Sequence, residues 1–549
     1  MRFAWHPRGV ICLVTAAAVL PAYGQFFQDG PKLVGIDAVG AAEQGFSVAV
    51  SSNGKTALVG GPNDSGGVGA AWVFTDSSSG WSSGIKLTGG GQAFGYSVAL
   101  SPDGNTALIG DPSDSGEGAA WIFTSSSNWS QPGIKLTASD AMVGSNLGWS
   151  VALAVQVPGT GTALIGGPGN GTGAAWVFTL SGSTWSQQAT LQDTTVGAAG
   201  QGSSVALSAN GSTALIGGPS FNSGDGGAWV WTRSGGTWTE EPGVLAGAPT
   251  SGTSPAQQGS SVGLSQNALQ AFIGGPGDGN GVGAVWVFAP SGDSWAQQAK
   301  LVGSGNSGNS RQGSSIAAIL DAVLIGGPGD GGNTGAAWLF NGAGRSWFQL
   351  GNKMVGSNSV GNAGQGFSVA TASGTPMVML GGPSDNNGAG AVWTFTIPRL
   401  SVTAPLSADD GTPFEITVTA EDTAGAIVTG YTDTLSFTSS DNAASLPANS
   451  TLTNGTGQFQ VTLRTPGNQT ITATDTSLPE FSGNATVNVI GPPTINKIFG
   501  FFAGPRTRSA AVNPDGLVPT IPLNGSTNLS FTLTNPNSSC GLCGGITAP

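Results

Sequence analysis

The chain has 549 residues, of which only 8% are charged, with 93 glycines, 16 tryptophans, 23 phenylalanines and a net charge of −13. Its 16 basic residues are scattered singly, which excludes the clustered Lys and Arg that nucleic-acid binding requires. The apolar and aromatic content is high enough to build cores, so low charge here does not signal disorder.

The first residues read as an export signal. Arg2 and Arg8 flank a basic start, Val10 to Leu20 is apolar, and Ala22-Tyr23-Gly24 supplies small residues for cleavage. Residues 1–24 are expected to be removed, leaving a chain that starts at Gln25 and works outside the cell or at its surface. Cys12 lies inside the apolar run and would leave with it. No later stretch reaches the roughly 20 apolar residues of a membrane helix, so no integral membrane segment is expected in the mature chain. Cleavage would also remove His6, the only histidine, together with Arg2 and Arg8, leaving 14 basic residues against 29 acidic ones. Ser-His-Asp triads, Cys-His dyads and His-ligated metals are then excluded, which argues against the commonest hydrolytic enzymes.

From residue 25 to residue 399 the chain repeats. A Gly-Gly-Pro or Gly-Asp-Pro triplet recurs with its proline at Pro62, Pro112, Pro168, Pro219, Pro276, Pro328 and Pro383. Each copy carries four strand-like segments; in the first they are Gly45 to Val50, Thr56 to Val59, Ala70 to Phe74 and Ile85 to Leu87. Seven units of four antiparallel strands predict a seven-bladed β-propeller. The seventh copy stops after Trp393-Thr394-Phe395 without a Lys-Leu strand, and Lys32-Leu33-Val34 at the other end matches what is missing. The N-terminal strand is therefore expected to complete the last blade and close the ring, leaving no open sheet edge.

These repeats resemble the FG-GAP family, found in the integrin alpha-subunit head and in bacterial surface proteins. Phe94-Gly95-Tyr96-Ser97-Val98-Ala99 carries the FG element, and Gly-Gly-Pro stands where the family has Gly-Ala-Pro. Other copies, such as Gln201-Gly202-Ser203 and Gln258-Gly259-Ser260, lack the aromatic. Some family members bind calcium through alternating aspartates between the first two strands. Here those loops (Ser51 to Gly54, Ser101 to Gly104, Ser208 to Gly211) offer at most one carboxylate each, so neither a metal nor a cofactor is expected.

Two residues after the triplet proline stand Asp64, Asp114, Asp278, Asp330 and Asp385, with Asn170 in the third copy. The resemblance implies that these loops lie on the ligand-binding face, where an acidic ring would attract a cationic partner. The alternative is that Asp and Asn before Gly simply make turns. Tryptophans fall on repeat positions: Trp72, Trp121, Trp176, Trp229, Trp286, Trp338 and Trp393 on one, and Trp81, Trp129, Trp185, Trp238, Trp295 and Trp347 on another. Trp149 and Trp231 replace aromatic or apolar residues of their own copies. This regularity assigns tryptophan to packing between blades rather than to a sugar platform.

After Arg399 the repeat gives way to alternation, as in Phe414, Ile416 and Val418. About seven short strands over residues 400–490 predict an immunoglobulin-like β-sandwich. The run Pro413 to Asp422, with Gly430-Tyr431 and Thr438 to Asp441, resembles bacterial Ig-like or filamin-like modules, which serve as spacers. Residues 491–549 hold one clear strand, Asn528 to Thr534, in what reads as an incomplete surface-protein module. Cys540 and Cys543 lack the further ligands of a zinc site and the βαβ context of a redox site. The whole reads as an exported, non-catalytic binding or adhesion protein whose partner is an extracellular protein or glycan. Its rivals are a structural matrix or envelope module and a carbohydrate-active enzyme using Asp carboxylates alone.

Overall fold

The structure is a computed structural model. It describes residues 26–492, apart from short stretches at 78–79, 130–132, 158, 252–253, 344–345, 422–424, 426, 429–430, 432 and 477–480, together with the paired strands 529–532 and 545–548. The expected signal peptide, residues 1–24, lies outside the described residues, as do Cys540 and Cys543.

The protein is all-β, built largely from four-stranded antiparallel sheets, an arrangement compatible with a β-propeller. In the first repeat Ser47–Val50 pairs with Thr56–Gly61, which pairs with Ala70–Ser77, which pairs with Ile85–Leu87 and, at its far end, with Gly80–Trp81. The other repeats follow the same order. The two middle strands are buried nearly throughout, whereas the first and last are half-exposed. That division follows from face-to-face stacking of sheets: a strand covered on both faces reads as a continuous apolar run, as Ala57 to Val59 and Ala70 to Phe74 do.

Consecutive sheets are joined by one contact, used seven times. The serine that opens each first strand donates its hydroxyl to a glycine carbonyl of the next sheet: Ser47 to Gly95, Ser97 to Gly148, Ser150 to Gly202, Ser204 to Gly259, Ser261 to Gly313 and Ser315 to Gly366. The seventh, Ser368, donates to Gly45 of the first sheet at 2.7 Å, so the series returns to its start. The first glycine of the repeated triplet permits this approach. A Cβ on Gly60 would stand 2.0 Å from the Gly95 carbonyl oxygen.

The last sheet takes its outer strand from the N-terminus. Phe27–Gln28 pairs antiparallel with Ala391–Thr396, and Leu33 bridges Val392 in the register that Leu87 holds with Ala71 in the first sheet. Lys32-Leu33 thus stands where the sequence placed it, and the pairing begins five residues earlier.

Beyond Arg399 two sheets face each other across one core. Arg399–Thr403, Pro413–Glu421 and Thr456–Thr462 form the smaller; Ser407–Asp409, Ser482–Ile490, Gly467–Asp475, Thr434–Ser439 and Ser450–Thr451 form the larger. Ile416, Val418, Leu435, Ile471 and Val487 are fully buried between them. Phe27 joins this core, its ring 5.6 Å from that of Tyr431. No helix among the described residues is long and apolar enough to cross a membrane.

Candidate functional site: an aromatic arc at the start of the inner strands

The repeated aspartates are buried rather than displayed. Asp64, Asp114, Asp278, Asp330 and Asp385 are each 3% exposed or less, and each meets the lysine of the outer strand serving its own sheet. The pairs are Lys86 with Asp64 at 2.8 Å, Lys135 with Asp114 at 2.8 Å, Lys300 with Asp278 at 2.7 Å, Lys353 with Asp330 at 2.5 Å and Lys32 with Asp385 at 2.5 Å. Four of the carboxylates also accept a backbone amide, from Val39, Thr250, Ser307 or Val360. Four of the lysines lie over the repeat tryptophan, 4.9 to 5.7 Å from its ring centroid. The expected ring of open negative charge is therefore a set of closed clasps, because a carboxylate taken out of water requires a partner.

The sequence held a signal for this pairing. Lysine and aspartate come and go together among the copies: where Thr190 and Val244 stand in the lysine position, Asn170 and Phe221 stand in the aspartate position.

Six of the seven repeat tryptophans are fully buried, and their indole N–H groups find acceptors. Trp72, Trp176 and Trp229 donate to Asp37, Asp140 and Asp193; Trp286, Trp338 and Trp393 donate to the carbonyls of Ala248, Ser304 and Ser357. They are packing residues.

A different set of aromatics breaks the sevenfold pattern. The residue just before the bridging serine of each first strand is Phe46, Tyr96, Trp149, Ser203, Ser260, Ser314 and Phe367. Four neighbouring sheets thus carry rings and three carry serine. The rings touch in succession: Phe367 to Phe46 at 4.8 Å between centroids, Phe46 to Tyr96 at 4.8 Å, and Tyr96 to Trp149 at 4.7 Å, with interplanar angles of 46° to 50°. The arc crosses the junction of the seventh and first sheets, so it exists only because the circuit closes. Phe367 is 39% exposed and Trp149 37%, while Phe46 and Tyr96 are half-buried, and burial pushes the Tyr96 hydroxyl up to about 12. Across from the arc, Ser203, Ser260 and Ser314 donate their hydroxyls to the carbonyl three residues back, which leaves their oxygens able to accept.

An arc of half-exposed rings, with serines at the same position of the other three copies, is well suited to holding something. The substitution reading of Trp149 missed it, because each ring is unremarkable within its own copy. Only comparison of the same position across all seven shows four contiguous aromatics. Among the described residues, no three His, Cys, Asp or Glu side chains gather to hold a metal. A scan against protein-family models and a search of curated proteins returned no match for this sequence.

Proposed function

We propose that the protein is an exported, non-catalytic binding protein: a seven-bladed β-propeller of FG-GAP type, closed by its own N-terminal strand and followed by an immunoglobulin-like sandwich, with its ligand seated on the aromatic arc. The observation that carries this reading is the contiguity of Phe367, Phe46, Tyr96 and Trp149, partly open to solvent and in contact with one another across four sheets, whereas six of the seven tryptophans on the third strands are fully buried. A chain under only structural demand would have no reason to gather four rings on one side of a sevenfold ring and serines on the other. The partner is an extracellular protein or glycan that offers a flat apolar face flanked by hydrogen-bond donors. The clasped aspartates favour binding over Asp-based hydrolysis, since each is engaged by a lysine rather than poised opposite a second free acid.

The test is binding of the chain from Gln25 onward to immobilised polysaccharides and matrix proteins. It compares the natural protein with a variant in which Phe46, Tyr96, Trp149 and Phe367 become serine, as in the other three repeats. Saturable binding weakened at least tenfold in the variant is expected, on the scale of aromatic anchors at interfaces. Binding retained at full strength would move the site elsewhere. No saturable binding to any member of the panel would favour a structural module.

A further inference from the structure

The second repeat differs from the other six in the middle of its triplet. Asp111 stands where the others have Gly61, Gly167, Gly218, Gly275, Gly327 and Gly382. At those glycines an added Cβ would lie 2.6 to 2.8 Å from the repeat tryptophan, so any side chain there must displace the indole. Trp121, the tryptophan of this repeat, is the one of the seven that is not fully buried, and its indole N–H has no hydrogen-bond partner. The loop that faces it has adapted as well. It reads Thr88-Gly89-Gly90-Gly91, and a Cβ on Gly91 would stand 2.5 Å from Asp111 Oδ2 and 2.7 Å from Asp114 Cβ. Three departures from the repeat thus coincide around one carboxyl group.

That carboxyl group is fully buried; the Gly91 and Ser113 amides approach it, but neither oxygen closes a hydrogen bond of good geometry. Of the charged groups that face it, Asp114 comes from the turn after the same strand and Lys135 from the outer strand. The indole of Trp121 and the glycine backbone of residues 89–91 add no ionisable group. Lys135 holds both oxygens of Asp114, each 2.8 Å from its ammonium. The two buried carboxylates thus have one neighbouring ammonium, which Asp114 engages, and the cluster lacks one positive charge. A divalent metal would want about 6 to 8 oxygens, far more than these two side chains offer, and would compete with Lys135. A proton needs only one oxygen.

We propose that Asp111, pressed against Asp114, is a proton-binding site, in which one proton completes the charge balance with Lys135 and its release destabilises the second repeat beneath the Gly89–Gly91 loop. Desolvation, then repulsion from Asp114, pushes the Asp111 carboxyl up to about 7, against the opposing pull of the Gly91 and Ser113 amides and of Lys135. Because an unfolded Asp titrates near 3.9, the folded chain holds this proton more tightly than the unfolded one. The stabilisation is complete below about pH 4, falls as pH rises, and is gone above about pH 7. The site adjoins the arc: Gly95, which precedes Tyr96, donates its amide to the Gly110 carbonyl, and a Cβ on Gly148, which precedes Trp149, would lie 2.8 Å from the Asp111 nitrogen. The inference does not depend on what the arc binds.

Melting temperatures of the natural chain, Asp111→Asn and Asp111→Gly, measured between about pH 4 and pH 9, test it. The natural chain should lose about 5 °C relative to Asp111→Asn between pH 4 and pH 7, with the difference level above that. Asp111→Gly restores the residue of the other repeats and serves if the asparagine variant folds poorly. An infrared band of a protonated carboxyl, present at pH 6 in the natural chain and missing from either variant, is the second readout. A difference that is flat from pH 5 to pH 8 would overturn the proposal. So would a melting temperature at pH 8 that millimolar calcium raises in the natural chain but not in the variants, which would make the site a metal site.

Discussion

Asp330 and Lys353 show how one residue pair fixes the edge of each repeat. The carboxylate accepts the Ser307 amide at 2.6 Å and the ammonium at 2.5 Å, so it ties the outer strand to the loop that enters the same sheet. Replacing Asp330 by Ala leaves a partly covered lysine with no anion and a backbone amide with no acceptor. Because Lys353 keeps 25% of its side-chain surface in solvent, the cost should be about 2 kcal/mol rather than the full penalty of a broken buried pair. Urea unfolding should show that loss, and a second change, Lys353→Met, should recover part of it through coupling between the two sites. A double variant no better than Asp330→Ala alone would mean that the amide, not the ion pair, carries the interaction. At this scale the sequence showed which residues recur but not what they touch. The five aspartates were visible as a series, yet their partners lie 21 to 23 residues further on in four of the pairs and across the whole ring in the fifth. Asp111 was visible only as a variant spelling of the triplet. Its consequence depends on Gly91 and Trp121, which reach it from two other segments.

The strands themselves were the most legible level, because a period of about fifty residues with constant apolar runs leaves little freedom in pairing. Burial on both faces explains why the middle strands read clearly, while the outer strands are marked mainly by Lys-Leu or its relatives. The closing strand was legible for the same reason, as the seventh copy ends one strand short. What was hidden is its double attachment. Phe26 packs against the core of the last sheet, and Phe27 turns into the core of the sandwich against Tyr431. A single short segment thus serves two cores. Deleting residues 25–35 should expose the free edge of Ala391–Thr396, unpair Asp385 and cut a hole in the sandwich core. Both parts of the protein should then melt at lower temperature, by more than 5 °C for the repeat region, and the truncated chain should associate through its open edge. Calorimetry with sedimentation would record both effects; an unchanged melting profile would show that the segment is not needed for either core.

For the molecule as a whole, the decisive property is that seven nearly equivalent sheets meet end to end, and that the proposed function resides where equivalence fails. The ring of serine-to-glycine contacts is symmetric, and the aromatic arc and the Asp111 cluster are not. Sequence reasoning sees a repeat most easily through what its copies share, so it found the repeated four-stranded antiparallel sheets and passed over both exceptions. The arc also requires closure, since Phe46 can touch Phe367 only if the first and last sheets are neighbours. Closure brings Ser52 and Ser373, 321 residues apart, to an Oγ–Oγ distance of 2.7 Å on the exposed hairpins of those sheets. The most direct measurement is disulfide trapping with Ser52→Cys and Ser373→Cys in a chain whose Cys540 and Cys543 are replaced by serine. A closed ring predicts near-complete cross-linking under mild oxidant, a compact species on non-reducing gels, and a gain of up to about 5 kcal/mol against unfolding from so long a loop. Two free thiols persisting in a folded chain would contradict the closed ring, and with it the arc on which the proposed function rests.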